Sequence, residues 1–131
     1  MENRRIEFRA WDKENNVMLS HQQLDEFDKD GVMHLMDILK PNNKENVILM
    51  QFTGLTDKKG NPIFEGDILG YGDNYACEVK YDSSECQYLA YEYGNEDGTR
   101  IHSMTAYTVK WTILGNIYEN SDLLTPKSTK K

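Results

Sequence analysis

Scarcity is the first thing this sequence offers: two cysteines, three prolines, a deficit of basic residues and no long apolar run in 131 residues. Cys77 and Cys86 have no CxxC spacing and no histidine close by in sequence, which excludes a disulfide scaffold or a zinc ribbon read from spacing. The expectation is two reduced cysteines behaving as small hydrophobes. No stretch approaches the roughly 18 apolar residues of a membrane span. The opening MENRRIEFRAWDKE carries charges where a signal peptide needs its apolar stretch. These features lead to the expectation of a soluble, cytoplasmic protein with no membrane partner. Fifteen Lys and Arg against 22 Asp and Glu give a net charge of -7. Nonspecific nucleic-acid binding rests on cations neutralising phosphates, so the average charge disfavours such a partner. The basic clusters, Arg4-Arg5 and Lys127, Lys130 and Lys131, lie toward the two ends and read as solvated termini.

What is present is aromatic surface and charge. Aromatics make up 11% of the chain, eight of them Tyr, against 38% hydrophobic residues in total. Large amphipathic rings build a core while keeping a polar tip wet, and disordered chains are poor in them. One folded domain is expected at this length.

Period-two patterning dominates. IEFRAW (6–11) sets Ile6, Phe8 and Ala10 against Glu7 and Arg9, and the polar turn DKENN leads to VML as the second strand of a hairpin. HQQLDEFDKDG reads as a short helical turn, VMHLMDIL as helix or strand, and NVILMQF as a buried strand. YACEVKYD puts Tyr75, Cys77, Val79 and Tyr81 on one face. QYLAYEY puts Leu89, Tyr91 and Tyr93 on one face. With Ser83-Ser84-Glu85 as a three-residue loop, Val79 would oppose Leu89, Cys77 would oppose Tyr91 and Cys86 would face Asp82. Asn95 to Gly98 reads as a turn, and TAYTVKWTI (105–113) as a further strand that Leu114-Gly115-Asn116 breaks or bulges. Asn120 to Leu124 has room for one helical turn. Short strands separated by turn signals suggest a small barrel or sandwich.

The central stretch GLTDKKGNPIFEGD (54–67) crowds glycines and polar residues around the apolar pair Ile63-Phe64. Thr53-Gly54 is expected to end the preceding strand. Residues 57–62 form a tight polar turn in which Gly60 supplies free φ and Pro62 fixes the exit. Ile63-Phe64 anchors the loop to the core, and Gly66-Asp67 turns into a strand whose Ile68 and Leu69 pack inward. The expectation is scaffolding that grips no ligand.

With IEFRAWDKENNVML before it and VKW and ILGNIYENSDLL after it, the segment MQFTGLTDKKGNPIFEGDIL resembles the YopX family of phage and prophage proteins. Residues 20–46 and 83–104 carry little of the resemblance. It implies one YopX-like domain over 1–131, mainly β with α+β as the alternative. An irregular N-terminal subregion (1–50) would precede a small SH3-like β-barrel (51–124) and a flexible tail (125–131). It also implies a mobile-element origin and self-association, and it brings no activity and no catalytic residues to map.

Chemistry was sought in the residues themselves. In EFDKDGVMHLMD, Glu26, Asp28, Asp30, Gly31 and Asp37 fall at positions 1, 3, 5, 6 and 12 of a calcium loop. Position 1 departs from Asp and position 12 from the bidentate Glu, so the stretch reads as an acidic loop. His21, His34 and His102 lack HxxxH or HExxH spacing. Ser83-Ser84 lacks a nucleophile elbow, and no glycine run cradles phosphate. Glu65 and Asp67, flanking a turn, read as solvated. Tyr75, Tyr81, Tyr91, Tyr93, Tyr107 and Trp111 fall at strand positions on apolar faces and read as core. No metal, no cofactor and no catalytic site is expected. The resulting reading is a non-enzymatic phage or prophage accessory protein acting by protein contact, as a homo-oligomer or on a phage or host protein. The alternatives are a small-barrel nucleic-acid-binding module stacking bases on exposed aromatics, and an acidic decoy that binds a host protein.

Overall fold

The structure is a computed structural model that describes residues 5–24, 47–70, 76–95, 98–104 and 110–124, without the side chains of 94, 95, 98 and 100. Its architecture is predominantly β, as expected. The chain divides into two compact units, Met1–Phe52 and Thr53–Lys131.

In the first unit, β1 (Phe8–Asp12) lies between β2 (Val17–Leu19) and the opening of β3 (Val47–Thr56), antiparallel to both. The register places Ala10 opposite Leu19 and Leu49. Ala10, Leu19, Leu24 and Val47 form the buried cluster, with Phe8 and Leu49 against it. Ile6 precedes the strand and is exposed, so the expected apolar row starts at Phe8. Residues 21–24 are helical. Ser20 starts that turn as a reciprocal cap: its hydroxyl accepts the Gln23 N–H while its own N–H donates to the Gln23 side chain at 2.8 Å. Capping delivers Leu24 to the core. VMHLMDIL and the calcium-loop spacing at 26–37 lie outside the described residues.

The second unit takes up β3 at Thr53, pairs its end with β4 (Pro62–Phe64), and then builds a five-stranded antiparallel sheet. That sheet, a curled half-barrel, runs β8-β7-β6-β5-β9, where β5 is Asp67–Gly70, β6 Cys77–Asp82, β7 Gln87–Asn95, β8 Gly98–Ser103 and β9 Thr112–Asn116. Ile63, Leu69 and Val79 are its buried centre, with Leu55, Tyr88, Met104, Trp111 and Ile113 packed around them. Residues 105–109, expected to open a strand, lie outside the described residues, and β9 begins only at Thr112. It runs on through Gly115, accommodating Leu114 as a bulge opposite the Ile68–Leu69 step.

The hairpin register differs from the expected one. Asp82 pairs with Gln87 across a four-residue loop, so Val79 opposes Ala90 and Cys77 opposes Glu92. The cause is Cys86, which takes φ 55 and closes the loop from the left-handed region. The β1–β2 hairpin has the same design: Asp12 pairs with Val17, and Asn16 takes φ 54 at the matching position. In each loop the leading aspartate accepts two backbone N–H bonds, from Glu14 and Asn15 in one and from Ser84 and Glu85 in the other. A one-residue slip moves every side chain to the other face. Ala90 and Glu92 therefore join Cys77 and Val79, while Tyr91 and Tyr93 join Glu78 and Lys80.

Candidate functional site

The glycine-rich central stretch resolves into backbone scaffolding. β3 does not end at Gly54 but continues to Thr56, with Gly54 at φ 93 inside the strand. Asp57 opens the following turn and is buried; its carboxylate accepts the N–H of Lys59 (2.9 Å), Asn61 (2.8 Å) and Ile113 (3.0 Å). Burial pushes this carboxyl up, but the bonds from Ile113, Asn61 and Lys59 outweigh it and hold it below the ordinary carboxylate range. Gly60, at φ 87, turns the chain back so that Asn61 O meets Asp57 N–H at 2.8 Å.

Asp67, expected to be solvated with Glu65, is 2% exposed and accepts the Phe64 N–H at 2.8 Å; Glu65 is half-buried. The buried carboxylate closes the Glu65-Gly66 turn by accepting that backbone donor at the strand end. Gly66, at φ 89, donates to Val79 O and accepts from Ile117 N–H, joining β6 to the segment after β9. Asn116 organises that segment: its side-chain oxygen accepts from Tyr118 and Glu119, and its own N–H donates to the Asn120 side chain. Each polar group named here in 54–67 and 116–120 is bonded to its own chain.

Side chains with chemistry meet elsewhere. On the face of the five-stranded sheet that carries Leu69 and Val79, three adjacent strands contribute Cys77 (β6), Glu92 (β7) and His102 (β8). Cys77 lies directly opposite Glu92, and His102 lies opposite Ala90, one diagonal step away, which brings all three within cross-strand reach. The cysteine sulfur, a Glu92 oxygen and a His102 nitrogen all lie within 4.8 Å of one another. His102 Nε2 is 3.0 Å from Glu92 Oε1, and its ring stands edge-on to Trp111 at 5.4 Å. Cys77 is fully buried and Glu92 nearly so, while the His102 side chain is 32% exposed and forms the open side of the group. Burial, and then the charge of Glu92, pushes the Cys77 thiol up to about 12.

Sequence reasoning treated Cys77 as a small hydrophobe and the histidines as scattered, and it missed this convergence. His21 uses its Nδ1 to accept the Phe8 N–H in the first unit, and His34 lies outside the described residues. The available signal was period two: Cys77 with Val79, and Glu92 with Ala90, on like-facing positions of neighbouring strands. It became readable only with the correct loop length. Cys86 is exposed and, like Cys77, in no disulfide; its thiol donates to Ser83 O at 3.6 Å.

The opposite face carries Tyr91 and Tyr93. Tyr91 and Tyr93, expected in the core, are half-buried and stacked with ring centroids 6.4 Å apart. Their hydroxyls donate to Asp82 (2.6 Å) and Glu78 (2.9 Å), and Lys80 lies over the Tyr91 ring. Bonds from Ser84 and Tyr91 hold the Asp82 carboxyl down at about 2, while burial and then Glu78 raise the Tyr93 hydroxyl. Tyr81 is exposed, Trp111 packs against the core as expected, and Tyr75 and Tyr107 lie outside the described residues.

The class these elements define is a predominantly β module whose turns are tied by buried carboxylates and left-handed glycines. The chain belongs to the YopX family: the model of that family, described as YopX protein, matches residues 7–125. It is also similar to protein EF1440 from Enterococcus faecalis, known from a crystal structure. The two are 25% identical with a TM-score of 0.59, over 93% of this chain and 99% of that one. No curated protein matches. Among the described residues no helix is long and apolar enough to cross a membrane.

Proposed function

We propose that this chain is a phage- or prophage-encoded accessory protein of the bacterial cytoplasm that acts by protein contact, without catalysis, and that its first partner is a second copy of itself. The observation that carries the reading is β8. Among the described residues this strand pairs on one side only, with β7, and it presents Ile101 at 54% exposure. An edge of unpaired backbone groups is a template for another strand, and two copies meeting across a two-fold axis pair such edges antiparallel.

Two free thiols, one exposed, fit a reducing compartment. The absence of catalysis is supported by Cys77, a nucleophile beside a histidine: its raised proton affinity keeps it a weakly reactive thiol. Neither alternative gains from the geometry. The stacked Tyr91 and Tyr93 have their hydroxyls on carboxylates, which repel a phosphate backbone. A decoy for a DNA-binding protein needs rows of carboxylates, whereas Glu78 and Asp82 flank Lys80 on one face.

Size-exclusion chromatography with light scattering tests the proposal. The wild-type chain should run as a dimer at micromolar concentration, and Ile101→Lys, which places a charge on the edge, should run as a monomer. A wild-type monomer, or a dimer indifferent to Ile101→Lys, would overturn it.

A further inference from the structure

We propose that Cys77, Glu92 and His102 form a binding site for a thiophilic divalent cation of the zinc class. The donor set is one sulfur, one nitrogen and one carboxylate oxygen, each from a different adjacent strand, with the donor atoms within 4.8 Å of one another. Bonds of roughly 2.0–2.3 Å to these atom types place the donors of a tetrahedral zinc ion about 3.3–3.7 Å apart. The group must therefore contract by about an ångström at its widest, while the 3.0 Å contact between His102 and Glu92 opens slightly. Side-chain rotation on a fixed sheet accommodates both movements.

Charge supports the same ion. A thiolate, a carboxylate and a neutral imidazole carry two negative charges, which a divalent cation cancels, and a neutral assembly is what a largely buried site tolerates. Coordination displaces the thiol proton to solvent, and the imidazole binds through Nε2 with its proton on Nδ1. Sulfur ligation selects zinc or cobalt over magnesium or calcium, which take oxygen donors. The fourth position faces the open side beside His102 and is left to water. Zinc enzymes use that pattern too; the inference concerns binding alone and stands apart from the self-association proposed above.

The test uses the full-length chain, reduced and freed of metal. Cobalt titration should give a thiolate charge-transfer band and tetrahedral d–d bands that saturate at one ion per chain. Zinc should displace the cobalt and compete with a chromophoric chelator in the micromolar range or below. His102→Gln, at a half-exposed position and with its fold checked by circular dichroism, should weaken zinc binding at least roughly 100-fold, more than the loss of an outer-shell partner. Cys77→Ala should abolish the charge-transfer band. Cys86→Ser and His21→Gln should change neither signal, and magnesium and calcium should not compete. If Cys77→Ala fails to fold, His102→Gln decides alone. Three results would overturn the site: no saturable binding by the wild type, binding indifferent to His102→Gln, or binding lost with Cys86→Ser, which would mark an adventitious ion only at the exposed thiol.

Discussion

Removing the Asp57 carboxylate should destabilise the second unit by about 3–4 kcal/mol. The side chain is 4% exposed and accepts three backbone N–H bonds. A hydrogen bond to a charged acceptor contributes about 1.5–3 kcal/mol, and a donor stranded without water loses a similar amount. The three are not equal. Lys59 and Asn61 are exposed turn residues, so water can replace the carboxylate there and each N–H forfeits about 0.5–1 kcal/mol. Ile113 lies on β9 and packs against the core, so its N–H should forfeit about 2 kcal/mol or more. Asp57→Ala should therefore lower the urea midpoint by about 2–4 M, given a slope of roughly 1–1.5 kcal/mol/M for so small a unit. Asp57→Asn keeps one oxygen acceptor and turns an NH2 toward the other donor, so it should recover about half the loss.

Trp111 reports this transition directly, because its carbonyl accepts the Lys58 N–H at 2.8 Å beside the loop. Its fluorescence should be followed in a Trp11→Phe background, which silences the other indole. The pH dependence gives an independent arm. The folded Asp57 carboxyl lies below its unfolded value, so between the two the unfolded chain binds more protons and stability rises with pH. The contribution is complete above roughly pH 4, the unfolded value, and is lost as pH falls through the folded one. Asp57→Asn should flatten the slope in that acid window, and Asp12 and Asp82, also depressed, should supply the slope that remains. An Asp57→Ala loss below about 1 kcal/mol would refute the scaffold reading, because the Ile113 N–H alone, on a strand packed against the core, should forfeit more than that.

Other consequences follow from the same geometry. Cys86→Gly should stabilise the β6–β7 hairpin by about 0.5–1 kcal/mol in urea unfolding, because glycine adopts φ 55 without the penalty a side chain meets there. Gly115→Ala should cost about 2 kcal/mol or more, since an added Cβ would collide with the Asn120 side chain that bonds Asn116; thermal unfolding measures it, and Gly115→Ala with Asn120→Gly should recover part. Gly60 has open space around its Cα but sits at φ 87, so Gly60→Asn should be nearly neutral and Gly60→Val destabilising by about 1–2 kcal/mol in the same assay, a difference that comes from backbone strain alone.

The legible parts of this chain are those where local patterning and tertiary packing agree. Ile63, Ile68 and Leu69 were readable as core from turn chemistry around them, and the DKENN hairpin from a turn with Asn at its left-handed position. The DSSEC loop has the same geometry with Cys at that position. Cysteine carries no turn signal, so the expected loop is one residue shorter than the observed one and the expected faces of β7 are inverted with it. Tyr91 and Tyr93 consequently read as core. The burial of Asp67, expected to be solvated, and that of Asp57 are illegible for a different reason. Aspartate in a turn is solvated unless the turn itself is covered, and only strands distant in sequence, β9 for Asp57 and β6 for the adjoining Gly66, determine that.

The residues that carry the family resemblance and those that meet at the candidate site are largely different sets. Asp57, Gly60, Gly66, Asp67 and Asn116 belong to the resembling segments, and each acts on backbone of its own chain. Glu92 and His102 come from residues 83–104, where the resemblance is weak, and they reach Cys77 only because that scaffold fixes the order β8-β7-β6. A sharp turn needs glycine and a capping carboxylate whatever the molecule does, so such residues identify a fold and say little about its use. The side chains available for binding are the ones the turns leave free to vary, on the two faces of the sheet. Function in this chain should therefore respond to substitutions in β6, β7 and β8 that leave stability unchanged, whereas substitutions in 54–67 should affect function only through stability.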